Sequence, residues 1–271
     1  MNISKKLERI ANSVLNSKRY KNRLEEVFVS IGISCEEIVQ KYIEYDMNIG
    51  SYDNEVYNSL PLRAALYLHY LLPRSWHQIR QQEVLRIIKK VTPRNLVDVG
   101  FGAPTRYIEE YVLKEQDIKA TLVDKYDSAF SFARTILDSI SPSWRENIMF
   151  KKIDMNHHIL IGDYDFYIFQ DSIEHVQDAT NYLRKTVDVT PNNSYFLLSL
   201  PLGPSIPSHT ICWEKEKDAL RWLRDSKLTV LEKRIIKPNP CVDLFAQFLP
   251  SNICDLVVCA RKSTLLRGKL K

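Results

Sequence analysis

Glycine is scarce in this chain, with seven among 271 residues, and the five cysteines (Cys35, Cys212, Cys241, Cys254, Cys259) form no Cys-x-x-Cys pair. That spacing, with no partner histidines at zinc-site distance, indicates neither a disulfide framework nor a metal centre. No metal is expected, and Cys254 and Cys259 read as buried strand residues. No run approaches the roughly 18 apolar residues of a membrane span, and the opening "MNISKKLERI" lacks the apolar stretch of a signal peptide. The expectation is a cytoplasmic protein with reduced thiols and no membrane partner. Internal repeats and low-complexity segments are absent too. Neither sign of charge dominates: 38 Lys+Arg against 33 Asp+Glu give +5. The excess gathers at the ends, from Lys5 to Arg23 and from Arg261 to Lys271. Such runs read first as solvated faces, so nucleic acid is a disfavoured partner, with an RNA footprint left open.

What is present is ordinary globular material, 45% hydrophobic and 26% charged, enough for one well-buried core and an extension. Residues 1–73 carry apolar residues at helical spacing, broken by the loop "DMNIGSYDNEVYNS", and read as an N-terminal helical cap or lid. In "SWHQIRQQEVLRIIKKV", Ser75 is placed to cap a helix and Pro93 to stop it. Short apolar strands then alternate with amphipathic helices, beginning "NLVDVG", "APTRYIEEYVLK", "IKATLVD" and "SAFSFARTILDSI". Near the end, "LTVLEKRIIK" and "NICDLVVCARK" have no long helix between them, which predicts a hairpin-like finish. The expected fold is α/β, a Rossmann-like doubly wound sheet of seven mostly parallel strands with a C-terminal antiparallel strand. It spans residues 74–262, followed by a basic tail at 263–271.

Two of the few glycines, Gly100 and Gly102, sit two apart directly after the first strand. In a doubly wound sheet a ligand lies beyond the carboxyl ends of the strands, where glycine lets the backbone approach closely. The run Gly100-Phe101-Gly102-Ala103-Pro104-Thr105 ends in a polar residue where the dinucleotide fingerprint wants glycine or alanine. Asp98 puts negative charge beside this loop, which suits a ligand bearing an ammonium and a sulfonium better than one bearing phosphates. Asp124, ending the second strand, is placed to accept the two hydroxyls of a ribose.

Residues from about 75 to 262 resemble the class I S-adenosylmethionine-dependent methyltransferases. "VDVGFGAPT" resembles the first motif of that family, "LVDKYDSA" its ribose-binding segment, "KKIDMN" its third-strand end and "YDFYIFQDSIEHVQD" its fourth-strand segment. "PSHTICWEKEKDALRWLRDSKLTVLEKR" resembles its fifth-strand exit, helix and sixth strand. The resemblance implies S-adenosylmethionine as cofactor. Gly100, Phe101 and Gly102 would border its methionine portion, and Asp98 would hold its amino group. Asp124, with Lys125 beside it, would serve the ribose, Asp154 and Met155 the adenine, and Gln170 would present backbone nearby. His175 and His209 are the candidate catalytic residues, an imidazole being able to take a proton from a hydroxyl or amine. Tyr57, Tyr67 and Tyr70, with Tyr52 and His69, are candidates to roof an acceptor pocket, a helical core stripe being the competing reading. His157 and His158 read as surface residues.

The implied activity is methyl transfer to an O or N atom of a small molecule, in specialised metabolism. The alternatives are an RNA or protein/peptide methyltransferase and a non-catalytic adenosyl-ligand-binding protein. A nicotinamide-dependent oxidoreductase is disfavoured by the glycine loop. The oligomeric state stays open, a homodimer being one option.

Overall fold

Strand β1 (Asn95–Val99) shows why the sheet sits at the centre. Four of its five residues are buried, as parallel strands covered on both faces require. In β4 (Phe166–Gln170) the side chains alternate with the pleat. Phe166 and Ile168 enter one apolar cluster, Tyr167 and Phe169 the other. Full burial of each such side chain is worth about 1.5–3 kcal/mol, so these two clusters dominate the core.

The computed structural model describes residues 3–47, 58–115, 117–204, 208–239, 242–243 and 253–263. The remaining strands are β2 (Lys119–Asp124), β3 (Ile148–Lys152), β5 (Tyr195–Leu202), β6 (Leu228–Ile236) and β7 (Cys254–Lys262). Their order is β3-β2-β1-β4-β5-β7-β6. Strand β7 runs antiparallel to both neighbours, and the other pairings are parallel. This is the doubly wound sheet with a reversed strand that the alternation predicts. Strand order turns back between β1 and β4, so the crevice beyond their carboxyl ends is the topological switch point.

Helices α5 (Trp76–Val91) and α6 (Asp127–Ile140) cover one face of the sheet, α7 (Ala179–Val189) and α8 (Glu216–Asp225) the other. Ser75 caps α5 by accepting from Gln78 N–H at 3.1 Å, and the helix ends at Thr92 in the left-handed region, just before Pro93. The predicted amphipathic helix after β1 is reduced to a short segment whose last five residues, Ile108–Val112, form a π turn. Leu113 N–H reaches Ile108 O at 3.0 Å, and this wide turn lets Ile108, Tyr111 and Val112 all face the core.

Among the described residues, four further helices precede the sheet: α1 (Ile3–Leu15), α2 (Lys21–Ser30), α3 (Cys35–Met47) and α4 (Leu60–Leu71). They enclose their own apolar cluster, which takes in Phe132 and Ile136 of α6 and Ala103 of the glycine loop. Helix α4 is buried on nearly every side, residues 62–69 all being inaccessible. An all-round apolar helix belongs inside a protein, and here it lies against the switch point.

Candidate functional site

The glycine loop leaves β1 with Gly100 and Gly102 both in the left-handed region, at φ +73° and +63°. A Cβ at Gly100 would stand 2.6 Å from the Cβ of Ser172, so the β1 and β4 exits touch there with no room for a side chain. Met155 is also close, its methyl 3.8 Å from the same point. Gly102 N–H donates to Asp124 Oδ2 at 3.2 Å, and Tyr126 N–H donates to Asp124 Oδ1 at 3.0 Å. The loop's amide is thus spent on a carboxylate of the protein. One lone pair remains on each Asp124 oxygen, the arrangement a vicinal diol needs.

Asp98 is buried, its Oδ2 accepting from Tyr107 Oη at 2.8 Å while Oδ1 has no partner. Burial, with the nearby Asp124 charge adding to it, pushes its carboxyl up to about 7, against the pull of Tyr107. Gln170, at the end of β4, adds its side-chain amide to the pull on Asp98, short of a well-formed hydrogen bond. Asp154 turns the chain after β3, its Oδ1 accepting from Asn156 N–H at 2.9 Å. With Lys125, Tyr126, Lys152, Ile153 and His158 it lines an open groove of about 970 Å³. That groove lies at the β2–β3 side of the switch point, and neither His175 nor His209 lines it.

Three of the candidate residues turn their side chains into packed surroundings. Phe101 turns its ring into the core, 5.9 Å from Phe130 and 6.2 Å from Phe150, so only its backbone is left to face a ligand. Tyr67 is buried against Phe132, donates to Glu109 at 3.0 Å and accepts from Arg23 at 3.0 Å. It therefore serves an ion-paired network under the cap rather than a pocket roof. Tyr70 alone of that pair nears the loop, its Oη 3.9 Å from a Cβ built on Gly102. His69 stacks on Tyr42 at 4.1 Å, and burial lowers its imidazole to about 3, leaving it neutral and structural. Tyr52 and Tyr57 lie outside the described residues. Lys125 extends over the Tyr126 ring at 4.8 Å.

Two arginines at the site have no counterpart in the sequence reading. Arg63 of α4 is buried and donates from Nη1 to Gly102 O at 3.3 Å and from Nε to Ser128 Oγ at 3.4 Å. Its Nη2, 3.8 Å from Asp124 Oδ1, has no hydrogen-bond partner. Arg80 of α5 pairs with Asp171, just past β4, and with Asp255 on β7 at 2.7 Å. Asp171 holds φ +46°, a conformation non-glycine residues rarely adopt, and accepts from Ser199 Oγ at 3.2 Å.

The two candidate histidines, 34 positions apart, meet here. A 3-10 turn at Ile173–His175 follows β4, and Thr210 fastens the loop after β5 to it, its N–H and Oγ1 both donating to Glu174 O at 2.8 and 3.0 Å. The His175 and His209 rings stand 5.0 Å apart, edge to face. His175 Nδ1 lies 2.9 Å from Ser208 O. A carbonyl only accepts, so Nδ1 carries the proton and Nε2 the free lone pair. Burial and the neighbouring His175 bring the His209 imidazole down to about 4. Glu174 beside them is inaccessible, its Oε2 has no partner, and burial with the Asp171 charge raises its carboxyl well above the usual range.

No protein-family model matches the chain. No curated protein matches it in sequence either. Solved structures do. The chain is similar to the 4+2 cyclase SpnF (TM-score 0.54, 13% identity, covering 70% of this chain and 83% of that one). It is also similar to the StiE O-MT (0.52, 10%, 70% and 76%). A third is the O-methyltransferase from a trans-AT PKS multienzyme of Brevibacillus brevis in complex with S-adenosyl-L-homocysteine (0.52, 11%, 69% and 73%). At such identities the likeness speaks for the fold, and the chain has the Rossmann-like fold that these proteins share.

Proposed function

We propose that the protein is an S-adenosylmethionine-dependent methyltransferase acting on an O or N atom of a small-molecule acceptor. The observation that carries this reading is the pairing of the glycine loop with carboxylates instead of free amides. Gly102 N–H is already taken by Asp124, and Asp98 adds a second acid below the loop. A pyrophosphate would need open N–H groups at the start of a long helix, whereas only a short, π-terminated segment follows here. A ligand carrying a sulfonium and an ammonium gains from the same charge. The Brevibacillus brevis neighbour, in complex with S-adenosyl-L-homocysteine, supports the choice of ligand.

The residues present fit such a ligand. Asp98 offers a buried oxygen to an ammonium, and Arg63 Nη2, ion-paired with Asp124 at 3.8 Å but without a hydrogen bond, offers a buried donor to a carboxylate. Asp124 keeps a lone pair on each oxygen for the ribose hydroxyls, and Asp154 lines the groove at the adenine end. Bound there, the cofactor supplies an activated methyl group. The chain's own contribution is to orient and to exclude water: α4 lays Arg63 and Tyr70 against the glycine loop, and an aligned nucleophile needs little more. The cluster of Glu174, His175 and His209 offers the polar groups that hold the acceptor and draw off its proton. Residues 1–73 act as the lid and 74–262 as the catalytic core.

The variant Asp124→Ala tests the ribose assignment. Losing charge-assisted hydrogen bonds to the diol weakens S-adenosylmethionine binding by about 1.5–3 kcal/mol, or about 10- to 100-fold. Calorimetric titration of a folded variant with unchanged affinity would defeat the assignment.

A further inference from the structure

Glu174, His175 and His209 present one carboxylate oxygen and two imidazole nitrogens that all lie within 4.8 Å of one another. We propose that these three side chains bind a divalent transition-metal ion, with Zn²⁺ or Fe²⁺ as the fitting class.

Three independent features of the geometry converge on this. The first is the donor set, two imidazoles and one carboxylate on two separate loops, which suits Zn²⁺, Fe²⁺ or Co²⁺ rather than the oxygen-seeking Mg²⁺ or Ca²⁺. The second is orientation. His175 Nδ1 is held by the Ser208 carbonyl at 2.9 Å, the kind of outer hydrogen bond that metal-ligating histidines use to aim the opposite nitrogen. The third is the inaccessible Glu174 oxygen with no hydrogen-bond donor. A buried carboxylate without a partner is costly. The cation nearest in charge, Arg80, is already engaged by Asp171 and Asp255. Glu174, Asp171 and Asp255 gather around one arginine, and a dication bound by Glu174 would hold its carboxylate in the charged form.

The separation is looser than a filled site. Ligand atoms about 2.0–2.2 Å from a tetrahedral ion stand about 3.4 Å from one another, so the three arms draw in by about an ångström on binding. Rotation about the side-chain torsions of His209 and Glu174 supplies that movement, while Thr210 keeps the two loops together. Three protein ligands leave at least one position open. With the metal bound, an acceptor hydroxyl there would be acidified and release its proton to solvent, in place of transfer to the imidazoles, and its oxygen would take the methyl carbon as the C–S bond breaks and S-adenosylhomocysteine leaves. The metal site itself stands on the cluster and not on the methyltransferase reading.

The test is a titration of the purified, metal-stripped full chain with Co²⁺, read by its visible d–d absorption, followed by displacement with Zn²⁺. S-adenosylhomocysteine binding is measured on the same samples, so that a failure of the metal site is separable from a failure of the cofactor site. The expected result is one equivalent of Co²⁺ bound by the wild type. His209→Ala and Glu174→Gln each weaken it by about 100-fold or more, beyond the 10- to 100-fold typical of lost outer groups. Glu174→Gln keeps the shape of the side chain and answers for the site should His209→Ala fold poorly. The variant His157→Ala, at an exposed turn outside the groove, retains wild-type binding. Absence of stoichiometric Co²⁺ in the wild type, equal affinity in Glu174→Gln, or loss confined to His157→Ala overturns the proposal.

Discussion

Replacing Arg80 by methionine lowers stability by about 3–5 kcal/mol at mildly alkaline pH, the scale for breaking a buried ion pair from one side. Its guanidinium is almost wholly buried and is shared by Asp255, itself inaccessible, and by Asp171. With the arginine gone, Asp255 must either stay charged in an apolar surround or take up a proton. Burial and the Asp171 charge already push its carboxyl above the usual range with Arg80 present. A group whose folded-state pKa is raised supports the fold at low pH and loses that support as pH rises through the raised value. The deficit of Arg80→Met is therefore smaller near about pH 5 than at alkaline pH. Urea midpoints at both pH values read this directly. Adding Asp255→Asn recovers most of the loss, because the uncompensated charge is what costs. A deficit below about 1 kcal/mol, or one indifferent to Asp255→Asn, contradicts the assignment. Arg80 matters to the site because it ties α5 to the exit of β4 and the start of β7, fixing the strained Asp171 beside the acceptor end.

Gly100→Ala has the next largest expected effect, about 2–5 kcal/mol. Part is the left-handed backbone at φ +73°, costing about 1–2 kcal/mol for a residue with a Cβ. The rest is overpacking, about 1–3 kcal/mol, since the new methyl would lie 2.6 Å from the Cβ of Ser172. Ser172 cannot easily retreat, because Asp171 before it is held by Arg80 and Ser199. Adding Ser172→Gly removes the contact and leaves the backbone strain, so the double variant regains about half of the loss. A Gly100→Ala protein as stable as the parent, within about 0.5 kcal/mol, would show that the two loops do not touch as described.

How much of this was legible in the sequence depends on how local the signal is. The sheet was, because strands of four to six apolar residues alternating with amphipathic helices have few other ways to bury themselves. So was the meeting of Asp98, Gly100, Gly102 and Asp124, which lie at or near the ends of neighbouring strands that topology alone brings together. The segment after β1 misled, as "TRYIEEYV" has helical spacing, and only the tertiary demand to bury Ile108, Tyr111 and Val112 selects the π turn. Arg63 had a signal that went unread: a single charge in the apolar run "LPLRAALYLHYLL" is a charge that needs a partner. Arg80 had none, for in "HQIRQQEV" it looks like part of a solvated face. The three-residue cluster leaves no mark in local ligand spacing, because Glu174 and His175 meet His209 only through the β4 and β5 loops.

Calorimetric titration of the purified protein with S-adenosylmethionine, S-adenosylhomocysteine, NAD and NADP tests the central claim most directly. The account predicts micromolar binding of the two adenosyl ligands and none of the nicotinamide pair, consistent with a glycine loop faced by carboxylates. Binding of NAD or NADP, or silence toward all four, would contradict it.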